Sequence, residues 1–221
     1  MGQNRLIAGL VVVAIVLFAG APFVIDAAPY ESTMGLIQKI FYFHVPSAMV
    51  MFASAFVCGI ASAIYLARRT PGSDRMAIAG AELVVVFGII VLVTGPLWAR
   101  KAWGVWWDWG DVRLVTSLVL WLIFVAYTLL RRFAGPGSDV LAAAVGVFGM
   151  ANVPFVYWSV NVWRTLHPKT TVVRTLSPEM RFPFYWCLAA FLCLYVALLL
   201  LRVRLERSKS TLEAVYAELE D

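Results

Sequence analysis

The chain holds two histidines, His44 and His167, and nine tryptophans, of which Trp98, Trp103, Trp106, Trp107 and Trp109 fall within twelve residues. Imidazole nitrogen is a good axial ligand for haem iron, and two imidazoles can fill both axial positions. Indole faces give a flat, apolar porphyrin stacking area at little entropic cost. Arg100, Lys101 and Arg113 flank the cluster and suit charge-assisted pairing with carboxylates such as the haem propionates. Two readings stay open on these residues alone. Tryptophan is enriched at membrane interfaces in any case, and a single interfacial histidine is more often a hydrogen-bonded structural group than a ligand. Either the chain carries an aromatic belt with two structural histidines, or it carries a haem platform with a pair of iron ligands.

The elements that must position these residues are membrane spans. The chain is 62% hydrophobic and 14% charged, with mean hydropathy +0.83, whereas a soluble domain is about half apolar and a quarter charged. Lipid must therefore be the main solvent, which excludes a soluble enzyme. Apolar runs at 6–25, 45–67, 77–98, 114–130, 140–160 and 183–201 approach the roughly 20 residues that cross a bilayer. Each run must be a helix, because hydrocarbon cannot satisfy an open strand's backbone. The expected fold is all-α and polytopic: one six-span domain over 1–201 and a polar tail over 202–221. The first span reads as a retained anchor and not a cleaved leader, given its length and the five spans after it.

Ten of the 18 basic residues fall in the shorter segments on the N-terminal side of the spans, including the doublets Arg68-Arg69 and Arg131-Arg132. That bias predicts both termini in the cytosol. The +5 net charge reads as loop cations facing phospholipid and not as a nucleic-acid footprint. Alternating spans then place three segments together on the outer face: the one ending at His44, the tryptophan-rich 99–113, and the one carrying His167. Trp103, Trp106, Trp107 and Gly110 recur at helical spacing and predict a helix lying along the surface. In the tail, Leu212, Val215, Tyr216 and Leu219 follow Ser210/Thr211 and predict a separate short amphipathic helix.

The spans hold little other chemistry. Glu82 is their one charged residue and lies near an inner end, where it reads as an interfacial or helix-contact group. Proton- or ion-coupled transport normally needs several such groups or broken helices. Cys58, Cys187 and Cys193 all fall in apolar runs without a CxxC pairing, so each is expected to be a buried, inert thiol.

Three stretches resemble the CcmC family, haem-handling membrane proteins of bacterial cytochrome c maturation within the wider group of WWD-domain proteins. Trp103-Gly104-Val105-Trp106-Trp107-Asp108-Trp109 is similar to that family's WGxWWxW signature. Tyr42-Phe43-His44-Val45-Pro46-Ser47-Ala48 is similar to its Y-x-HVP-x-A stretch, and the run from Tyr157 through Trp163 to His167 to its YWSV…W-x-TLH stretch. The motifs occur in the family's order across essentially the whole chain. The family runs its last tryptophan straight into an acidic residue, then arginine and LTS. Here Gly110 precedes Asp111, and Val115 separates Leu114 from Thr116-Ser117. These additions are expected to shift the loop's exit into the fourth span and to bear on the parts that Asp111 and Arg113 play.

The resemblance implies haem b held at the periplasmic face of a bacterial inner membrane and delivered to the haem chaperone CcmE. It implies His44 and His167 as axial ligands, and Trp103, Gly104, Trp106, Trp107, Trp109 and Trp163 as the platform. It implies Arg100, Lys101, Asp111 and Arg113 as propionate or partner contacts. The implied partners are CcmE, CcmD and the CcmA–CcmB transporter, within membrane lipid. Without a P-loop, the chain is expected to bind and present its cargo and not to act as an enzyme. A haem exporter and a transmembrane electron-transfer cytochrome b are the alternatives. The second would usually place paired histidines mid-span, and neither histidine here lies there.

Overall fold

A computed structural model of the chain describes residues 2–220. Its helices are α1 (Gly2–Asp26), α2 (Phe41–Arg68), α3 (Pro71–Ala102), α4 (Val112–Phe133), α5 (Ser138–Val162) and α6 (Pro178–Glu220), with a 3-10 turn at Leu36–Ile40 before α2. All six are long and apolar enough to cross a membrane, so the chain is a multi-pass membrane protein.

Local chemistry sets the turns on one face. Arg69 ends α2 in the left-handed region (φ 52), with its N–H bonded to the Tyr65 carbonyl. Thr70 then caps α3, accepting from Ser73 N–H, and Pro71 occupies the first helical position, where a missing N–H costs nothing. Residues 134–137 reverse the chain between α4 and α5, with Gly135 and Gly137 at positive φ. The opposite face carries the longer connections 27–40, 103–111 and 163–177. Both histidines and the tryptophan-rich loop therefore share that face.

Inside the bundle α2 packs chiefly on α3 and α5, α1 on α6, and α4 on α5. Lipid offers no hydrophobic drive between helices, so close backbone approach and interhelical hydrogen bonds hold them. At Gly80 of α3, an added Cβ would lie 2.8 Å from the Cys58 backbone nitrogen of α2. Only glycine fits there. Two indoles tie helices together: Trp121 donates to the Val85 carbonyl at 3.0 Å, and Trp186 donates to the Leu17 carbonyl at 2.8 Å. Large side chains such as Phe23 and Phe148 point outward at 78% and 65% exposure, as a lipid-facing surface requires.

The face with the short turns carries most of the ion pairs. Asp74 meets Arg131 at 2.6 Å, and Asp139 meets Arg69 at 3.8 Å. Glu82 pairs with Arg202, which also reaches Glu206 at 2.8 Å. Glu82 is thus a helix-contact residue joining α3 to α6.

Four features differ from the sequence expectations. His44 lies in the first turn of α2 and not in the segment before it, because the 3-10 turn feeds directly into the helix. The expected surface helix over 103–110 is absent: α3 continues to Ala102, and Gly104 at φ +79 then prevents further helix. The tail is not a separate helix, because α6 runs unbroken through Ser210 and Thr211. Their hydroxyls donate to the Glu206 and Arg207 carbonyls one turn back and cap nothing. Cys58 and Cys187 are buried as expected, but Cys193 is partly exposed.

Candidate functional site

His44 is presented by α2 and His167 by the 163–177 connection. Their ring centres lie 6.5 Å apart, with planes at 43°. Each ring has one nitrogen occupied. His44 Nδ1 is 2.9 Å from Thr94 Oγ1 on α3, and that hydroxyl donates its own proton to the Ile90 carbonyl. The hydroxyl can therefore only accept from His44, which places the ring proton on Nδ1. His167 Nδ1 is 2.9 Å from the Pro168 carbonyl, an acceptor only, so its proton is also on Nδ1. Among the described residues neither Nε2 has a hydrogen-bond partner, which leaves both lone pairs available to a metal.

Two imidazoles bound through Nε2 at about 2 Å to one ion, each centre about 1.2 Å behind its nitrogen, would have centres roughly 6.4 Å apart. The observed separation suits one metal held between them. Burial, reinforced by the Arg113 charge, lowers the His167 pKa to about 4. The ring is neutral at ordinary pH and ready to ligate.

The two rings line a cavity of about 290 Å³ that opens on this face. Its other walls include Trp98, Trp103 and Trp107 from the end of α3 and the loop, Phe52 and Met51 from α2, and Arg113 from α4. Trp98 and Trp103 meet edge-to-face at 4.8 Å. Among the described residues Trp107 Nε1 is buried without a hydrogen-bond partner, as is Gln38 Oε1, which also lines the cavity. An indole N–H left unpaired on a cavity wall suits a ligand that brings an acceptor. Arg113 donates to the Val156 carbonyl and lies over the Phe52 ring at 5.8 Å. Its remaining donors make it the cationic group of the cavity.

The other expected site residues lie elsewhere. Trp106 and Trp109 are 57% and 73% exposed at the rim, with Trp109 edge-on to Trp107 at 5.8 Å. Gly104 does not line the cavity; it is exposed and lends its carbonyl to Arg100. Lys101 is exposed too. Trp163 packs on Phe155 at 5.4 Å, outside the cavity. Asp111 is 3% exposed and spends its carboxylate on protein donors. The added Gly110 is absorbed locally, its N–H bonding Asp108 Oδ1 at 2.8 Å.

Sequence reasoning missed Thr94, whose neighbour Gly95 also faces His44, at 3.4 Å from its Cε1 to a Cβ built on the glycine. The signal was the run Thr94-Gly95-Pro96, which interrupts the outer end of an otherwise apolar span.

Fold and cavity together define a six-helix membrane protein with a paired-imidazole cavity at one face. The chain belongs to the CcmC family, described as Heme exporter protein C, which matches residues 2–217. Among curated relatives, a Heme exporter protein C of Escherichia coli (strain K12) is 34% identical over 184 residues, 80% of this chain and 73% of its own. One from Bradyrhizobium diazoefficiens is 33% identical over 208 residues, covering 91% and 79%. One from Paracoccus denitrificans is 32% identical over 197 residues, covering 86% and 81%.

Proposed function

We propose that this protein holds haem b as cargo between His44 and His167 and presents it to the periplasmic haem chaperone CcmE during cytochrome c maturation. The carrying observation is the pair of imidazoles on one cavity, ring centres 6.5 Å apart, each with its Nδ1 and not its Nε2 hydrogen-bonded among the described residues. Haem iron supplies two axial positions for such nitrogens. Trp98, Trp103 and Trp107 offer the macrocycle an aromatic wall, while Arg113 and the unpaired Trp107 N–H suit a propionate. Haem handling in cytochrome c maturation is in keeping with the name carried by the relatives.

At about 290 Å³ the cavity falls just under the roughly 300–1,000 Å³ typical of ligand pockets. The macrocycle would enter edge-on with part of itself still outside. That suits a carrier which must release what it holds. The rim residues Trp106 and Trp109, with Arg100 and Lys101 beside them, would meet the chaperone. CcmD and the CcmA–CcmB transporter are the other partners. The basic bias puts the cavity face in the periplasm and both termini in the cytosol, in the inner membrane of a bacterium.

Optical spectra of the purified protein test this reading. Wild type should carry a six-coordinate low-spin haem, and His44→Ala and His167→Ala should each change that spectrum while the protein stays in the membrane. Spectra that neither replacement alters would end it.

A further inference from the structure

We propose that Asp111 is a positioning residue for His167: its buried carboxylate fixes the loop that turns this imidazole toward His44. The inference rests on the haem-holding reading above and adds what makes one of the two ligands point the right way.

Each carboxylate oxygen takes two donors. Oδ1 accepts the backbone N–H groups of Arg113 at 2.9 Å and Leu114 at 3.2 Å, capping α4. Oδ2 accepts the Thr165 hydroxyl at 2.6 Å and the Leu166 N–H at 2.9 Å. The Thr165 oxygen in turn accepts the His167 N–H at 3.0 Å. A continuous path therefore runs from the start of α4 through one carboxylate to the backbone of the iron ligand.

Little else holds that stretch. From Arg164 to Pro168 the chain is irregular, and among the described residues no N–H there bonds a backbone carbonyl. Leu166 and His167 bond side chains instead. Helix α4, packed on α5 and α3, provides the rigid base that the loop lacks. A ligand must be held to within about 0.5 Å of its productive geometry, and a loop without this anchor cannot do so. The carboxylate caps a helix N-terminus and accepts from four donors. With its acceptor sites filled, the carboxylate is not a partner for propionates, which it would repel.

The test uses purified full-length protein with ferric haem as the probe. Asp111→Ala should weaken haem binding roughly 10- to 100-fold, the usual effect of losing a group that orients a metal ligand. Its spectrum should match that of His167→Ala, and millimolar imidazole should restore the low-spin form in both. Asp111→Asn keeps the shape but offers one acceptor oxygen, and should fall between. Thr165→Val should shift the spectrum in the same direction, and Thr165→Ser should match wild type. Hydrogen exchange at the Leu166 and His167 amides should quicken in Asp111→Asn and Thr165→Val even without haem.

A wild-type spectrum in Asp111→Ala would overturn the proposal. So would a haem loss that imidazole repairs in His167→Ala but not in the two Asp111 variants. If neither histidine replacement changes the wild-type spectrum, the haem reading and this proposal fail together; failure in the Asp111 arms alone leaves that reading standing.

Discussion

The Nδ1 atom of His44 lies 2.9 Å from the hydroxyl of Thr94, one helix away. The hydroxyl is itself anchored at 2.6 Å to the Ile90 carbonyl, so the contact sets both the tautomer and the tilt of the ring. Thr94→Val keeps the side-chain shape and removes the acceptor. It should lower haem affinity roughly 10-fold or more, while Thr94→Ser should retain it. Titration of the purified variants with ferric haem checks both, and a Thr94→Val protein that binds like wild type would show the contact to be incidental.

The two central tryptophans should separate in function. Trp107 lines the cavity and Trp106 is 57% exposed at its rim. Trp107→Ala should reduce the haem that co-purifies with the protein. Trp106→Ala should leave haem content near wild type and weaken capture of the haem chaperone. Haem-to-protein ratios and co-purification with the chaperone distinguish these outcomes. Equal effects of both replacements on haem content would contradict the division.

Close helix approach should be visible in stability. Gly80→Ala drives a methyl group against the Cys58 backbone and should cost about 1–3 kcal/mol, as overpacking does. Gly9→Ala, on a stretch of α1 with nothing within 4 Å, should be neutral or slightly stabilising. Thermal unfolding in detergent compares the pair.

Glu82 should matter to packing and not to cargo. Its pair with Arg202 lies toward the face opposite the cavity, and both side chains are partly exposed, at 36% and 25%. Glu82→Gln should lower stability in detergent by loosening the α3–α6 contact and leave the haem spectrum unchanged. A spectral change, or loss of haem delivery with haem still bound, would give this carboxylate a part that its position does not explain.

Cysteines placed at Ser32, Val105 and Lys169 should all react with a membrane-impermeant thiol reagent from one side. One at Gly72 should react only from the other. The three connections share a face in the structure, and on the orientation proposed above that face is the periplasmic one. A Val105 label appearing from the cytosol would reverse the orientation.

The spans were legible in the sequence because apolar runs of that length have one physical solution in lipid, and the histidine pair stood out by its rarity. The tryptophan stripe misled. Its helical spacing is real, but Gly104 at positive φ stops the helix, and periodicity does not register one residue's backbone. The tail misled differently. Ser210 and Thr211 look like a cap, yet the residues before them are good helix formers, so α6 continues and the hydroxyls bond backward. Asp111 was noticed for its charge and not for its partners. The Thr165 and Leu166 donors lie 54 and 55 positions along the chain, a distance that local pattern reading cannot bridge.

Both rings have already committed their hydrogen to the protein, one to a threonine oxygen and one to a proline carbonyl. A metal settling between them therefore expels no proton, and one departing recaptures none. On the haem-holding proposal, loading and unloading then exchange a bare electron pair at each ring without proton release from the imidazoles.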